Sequence, residues 1–100
     1  VLRFLGGLQH SKRTMMLSLS NLDLDDIPTV TYRLTHLTGL DLSDNGLRRV
    51  SGRLFSLIRM QDINLSNNYI GAIPPSVGKL TNLRALNLSR NCLRDLPVEL

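Results

Sequence analysis

The chain has 100 residues, 42% of them hydrophobic and only 4% aromatic, with a formal charge of +4; that fits one small globular unit or part of a larger one. The apolar fraction argues against disorder, and charged residues break every run approaching the roughly 18 consecutive apolar residues of a membrane-spanning helix. A single cysteine, Cys92, excludes an internal disulfide framework and a cysteine-only metal cage.

The hydrophobic set is dominated by 22 leucines, and they are periodic. Sliding the chain by 23 residues superposes Leu37, Leu40, Leu42 and Asn45 on Met60, Ile63, Leu65 and Asn68, and these on Leu83, Leu86, Leu88 and Asn91. An earlier copy carries Leu17, Leu19 and Leu22. In chain order, residues 1–13 form either the end of a preceding repeat, with Phe4 and Leu8 at positions 14 and 18, or a capping segment. Repeats follow over 14–36, 37–59 and 60–82, and a truncated one over 83–100. Apolar residues belong at positions 1, 4, 6, 11, 14, 18 and 21. Of 27 such sites 25 are apolar, against about 11 expected from composition alone; the exceptions are Thr14 and Thr31.

Positions 4 and 6 alternate as a short strand with one face buried, and each copy must lay its strand beside the previous one. No repeat buries its own leucines alone, whereas stacked neighbours do. Asn45, Asn68 and Asn91 stand where the strand turns away, and each amide has a donor and an acceptor for the backbone groups freed there. The first repeat has Leu22 at that position and Asn21 one residue early, so an asparagine ladder should not continue through it. Pro28, Pro74 and Pro97 share position 15, with Ser51 in the second repeat. Proline there suits the start of one short helical turn, with extended or 3₁₀ backbone as alternatives.

This pattern resembles the leucine-rich repeat, L-x-x-L-x-L-x-x-N-x-L, over residues 14–100. The resemblance implies an α/β solenoid: an arc with a short parallel sheet on its concave face and short helical, 3₁₀ or extended segments on its convex face. The constant 23-residue length, with Leu or Ile before Pro, resembles the intracellular class that includes Ras-suppressor-type and Scribble/Erbin-type scaffolds. That resemblance implies a cytoplasmic protein of intracellular signalling. Ending within a repeat at Leu100, the chain is expected to be a segment of a longer array flanked by further repeats or domains. Its last leucines, Leu86, Leu88 and Leu93, are then expected to be exposed.

Odd strand positions face away from the core and present small polar side chains. Met16, Ser18, Asp41, Asp62, Asn64 and Asn87, with Asp44, Asn67 and Arg90 at the strand ends, form the expected partner-binding surface. The column Ser20, Ser43, Ser66, Ser89 lacks a base, because His10 and His36 lie off its face, so a serine ladder is expected rather than a nucleophile. Asp41 and Asp62 supply too few ligands for a hard cation. No cofactor or metal is expected, and no catalysis. The basic residues Arg48, Arg49, Arg53 and Arg59 form an alternative docking flank. The absence of aromatic residues among them, and the neighbouring Asp23, Asp25 and Asp26, argue against nucleic acid. Asn64 and Asn87 also begin formal glycosylation sequons.

The leading expectation is therefore a non-catalytic scaffold that binds a protein partner through its concave face. The alternatives are a structural subunit docking through the basic flank, or the recognition module of an enzyme such as a kinase, cyclase or ubiquitin ligase whose catalytic domain lies outside this chain.

Overall fold

A computed structural model describes Phe4–Leu5 and residues 15–94. Pro97, Leu96, Leu100 and Leu8 lie outside the described residues. Among the described residues five strands form one sheet in sequence order: β1 (Phe4–Leu5), β2 (Met16–Ser18), β3 (Gly39–Asp41), β4 (Asp62–Asn64) and β5 (Ala85–Asn87). From β2 to β5 all pairs are parallel, with Leu17, Leu40, Ile63 and Leu86 in register. The sequence period of 23 thus becomes the sheet register. The parallel sheet has one addition: β1 runs antiparallel to β2, with Phe4 opposite Leu17.

The return segments are 3₁₀ helices, three of them among the described residues: Thr29–Arg33, Gly52–Ser56 and Pro75–Lys79. Their hydrogen bonds run in steps of three, as in Leu54 N–H to the Ser51 carbonyl (3.1 Å), Leu57 to Leu54 (3.3 Å) and Met60 to Leu57 (3.1 Å). Framework positions 18, 21 and 1 are likewise spaced by three, so on 3₁₀ backbone, where side chains three apart eclipse, they share one face. Pro28 and Pro74 stand just before the first and third helices. Ser51 replaces them at the second, where its hydroxyl accepts the Arg53 N–H at 3.1 Å, satisfying a donor that would otherwise face only water.

The core lies between the sheet and these helices. Leu17, Leu19, Leu37, Leu40, Leu42, Leu47, Leu54, Leu57, Met60, Leu65 and Ile70 are essentially fully buried, each burial contributing about 1.5–3 kcal/mol before ordering is counted. Leu83, Leu86, Leu88 and Leu93 are partly buried against the same core, so the last-repeat leucines are half-covered rather than fully exposed. Thr31, an exception to the apolar pattern, is also fully buried, and its hydroxyl has no partner among the described residues. Phe55 is buried too; its repeat position holds Tyr32 and Gly78 in the neighbouring repeats, so no column announces it.

The asparagine column joins the repeats. Asn45 Nδ2 donates to the Leu19, Leu42 and Ser43 carbonyls, while its Oδ1 accepts the Leu22 and Leu24 N–H groups. Asn68 and Asn91 repeat this one and two turns later. The first repeat is irregular: both Asn21 and Asp23 adopt left-handed backbone there, at φ 55° and 57°.

Candidate functional site

The concave face carries the predicted row, but its members differ in accessibility. Across the sheet, Met16, Gly39, Asp62 and Ala85 lie in register, as do Ser18, Asp41, Asn64 and Asn87. Met16 lies over Gly39: a Cβ added to Gly39 would come 2.8 Å from the methionine Cε. The methionine thereby forms an apolar wall at one end of an open concavity of about 500 Å³, whose lining includes Asp41, Asp62, Asn64, Ala85 and Asn87. Ser18, expected in the accessible row, is instead buried, with its hydroxyl 3.4 Å from that of Ser20. A side chain this short cannot rise above neighbours on strands about 4.8 Å apart.

The serine column is occupied in local turns. Asp41 Oδ1 accepts both the Ser43 N–H at 3.0 Å and the Ser43 hydroxyl at 2.6 Å. Asn64 does the same for Ser66, and Asn87 for Ser89. Ser43 and Ser66 are buried by this arrangement, which is an Asx turn closing each strand. One side-chain oxygen of each strand-end residue is used in this way, and Asp41, Asn64 and Asn87 all line the concavity. Asp62 Oδ2 lies 3.7 Å from Arg84 Nη2, both well exposed, a weak contact at such a surface.

Asp44, Asn67 and Arg90 belong to a different part of the surface. Each has left-handed backbone, φ 57°, 56° and 56°, where the strand turns into the ascending loop. Together with Asn68 and the exposed Tyr69 they line a separate cleft of about 420 Å³ at the rim. Tyr69 was not among the expected contact residues; the only sequence signal was an aromatic at a position held by Asp23, Gly46 and Cys92 elsewhere. Cys92 itself is exposed.

The four flank arginines are distributed over three segments. Arg48 and Arg49 share a cleft with Asp25, Asp26 and Gly46 on the ascending side. Arg53 stacks its guanidinium 4.6 Å from the ring centre of Tyr32. The Arg59 Nη1 donates to His36 Nδ1 at 3.1 Å on the descending side. Burial, with a smaller contribution from Asp26, raises the pKa of Tyr32, partly opposed by a hydrogen bond with Ser51 and by the Arg53 charge. Among the described residues no three His, Cys, Asp or Glu side chains converge as a metal set, and no helix is long and apolar enough to cross a membrane.

The register, the 3₁₀ returns and the shared amide column define a solenoid of stacked parallel strands with an open polar concavity. A family profile described as Leucine rich repeat matches residues 58–100. Among 41 solved chains that match is a leucine-rich-repeat protein of Leptospira interrogans, 32% identical, with a TM-score of 0.73 over 77% of this chain. The chain spans about one fifth of that protein, 20% of its length. No curated protein matches the sequence. The chain folds as a leucine-rich-repeat solenoid, like that neighbour.

Proposed function

We propose that the chain is a non-catalytic scaffold that binds a protein partner through the concave face, with the adjacent ascending rim contributing. The observation that carries this reading is the concavity walled by Met16 and lined by Asp41, Asp62, Asn64 and Asn87, in which one oxygen of each strand-end side chain, Asp41, Asn64 and Asn87, is held by a local turn. Side chains prepositioned in this way lose little freedom when a partner docks. The concave strands alone offer only about 240 Å², at about 4.8 Å between strands and about 3.3 Å per residue. A standard interface uses about 800 Å² per partner, so the rim and neighbouring surfaces must join in.

The 23-residue period favours an intracellular setting and a place in signalling. A glycan on Asn64 or Asn87, read from the intact mass of a secreted preparation, would overturn that localisation.

The test is quantitative partner capture by the wild-type chain and two charge-reversed variants, Asp41→Lys with Asp62→Lys, and Arg48→Glu with Arg49→Glu. Loss confined to the first variant supports the concave reading. Loss confined to the second removes it in favour of docking through the basic flank, which is already weakened as a single patch because Arg53 and Arg59 are engaged elsewhere.

A further inference from the structure

We infer that the cleft around Tyr69 is a second recognition element that holds an extended partner segment along the ascending rim, with an acidic side chain of that segment seated against Arg90 and a basic one against Asp44. The inference rests on the proposed scaffold function and adds the chemistry of the partner. Three observations carry it.

The first is backbone conformation. The four residues that turn the chain out of the sheet, Asn21, Asp44, Asn67 and Arg90, all adopt φ between 55° and 57°. Asn and Asp tolerate this region because their short polar side chains bond locally, whereas a long side chain gains nothing there. Three of the four turns use the tolerant residues and the fourth uses arginine, so the fold holds a guanidinium where its backbone preference opposes it. Such an outlier is a pointer to function.

The second is Tyr69, 61% exposed on backbone that is not free to move: its N–H donates to the Leu47 carbonyl at 2.7 Å, within the ladder that ties the repeats together. A large amphipathic ring on fixed backbone is the residue type that dominates interface energetics.

The third is charge. Asp44 and Arg90 stand at opposite ends of the cleft with Tyr69 and Asn67 between them, and neither forms an ion pair among the described residues. They lie two repeats apart, about 10 Å at the usual strand spacing, which is about three residues of extended polyproline-II chain at about 3.1 Å each, a backbone on which side chains three apart share one face. A segment with an acidic and a basic residue three apart matches both ends in one direction only, so the charges would set its polarity as well as its position.

The experiment is panning of phage-displayed random decapeptides on the full 100-residue chain, against uncoated wells, followed by binding measurements with the synthetic peptides recovered. The expected result is enrichment of Asp or Glu with Lys or Arg three positions away. Affinity should fall at least tenfold with Tyr69→Ala and with Arg90→Asn, while Arg90→Asn raises Tm, a combination that a purely structural role for Arg90 would not produce. Arg90→Glu should restore binding to a peptide whose acidic residue is changed to Lys. Peptides without the charge pair, or no enrichment over uncoated wells, overturn the rim inference. Peptides that lose affinity with Asp41→Lys and Asp62→Lys but bind normally to Tyr69→Ala also overturn it, while leaving the concave reading intact.

Discussion

The Leu42 carbonyl accepts hydrogen bonds from two side chains of different repeats, Asn45 Nδ2 and Asn68 Nδ2, each at 3.0 Å. One bond closes the turn within the Leu42 repeat, and the other, from Asn68, joins it to the next repeat. The same Asn68 amide supplies, at 3.1 Å, the acceptor for the Leu47 N–H. Asn68→Ala should therefore orphan buried backbone groups on both sides of the repeat boundary and cost about 2–4 kcal/mol. Urea denaturation of the variant checks this. Asn91→Ala should cost less, because that amide is only partly buried.

Thr31→Val should stabilise the chain by about 1 kcal/mol, since the threonine hydroxyl is fully buried with no partner among the described residues and valine keeps the shape. A shift in the denaturation midpoint at unchanged slope is the expected signature. Destabilisation instead would mean that the hydroxyl is hydrogen-bonded in solution.

Met16 and Gly39 should be energetically coupled. Gly39→Ala places a methyl 2.8 Å from the methionine Cε and 2.9 Å from its Cγ, so the flexible side chain must swing away, at a cost of about 1 kcal/mol. In a Met16→Ala background the same change should be close to neutral. A double-mutant cycle measures the difference, and additive effects would show that the two do not touch.

At the turn out of β4, Asn67→Ala should cost about 1 kcal/mol, because alanine tolerates the left-handed φ of 56° less well than asparagine does. Asn67→Gly should be nearly neutral by the same measurement.

Stability should decline on the alkaline side, and Tyr32 should account for part of the slope. Its folded pKa lies above the ordinary value of 10.0, so the unfolded chain releases the proton first. The contribution is fully present below about pH 10 and is lost as pH rises from there through the folded value. Tyr32→Phe should flatten the dependence of unfolding free energy on pH between about 9 and 11, and an unchanged slope would remove Tyr32 as its source.

The architecture was legible in the sequence because it rests on features that every repeat shares. Leu40, Ile63 and Leu86 recur at 23 residues and pair in register, and Asn45, Asn68 and Asn91 recur with them and bond alike. These traits are periodic because each repeat faces the same packing problem, so they can be read along the chain. The sequence leaves the return segments open between a helical turn, 3₁₀ and extended backbone, and the structure makes the described ones 3₁₀.

What only the tertiary structure decided are contacts made once, between unlike residues of neighbouring repeats. Met16 covering Gly39, Arg53 over Tyr32, and Tyr69 set between Asp44 and Arg90 depend on which side chains the register brings together and how far each one reaches. A period reports what repeats are made of. The chemistry of recognition lies where they differ, and those differences acquire neighbours only when the strands are stacked.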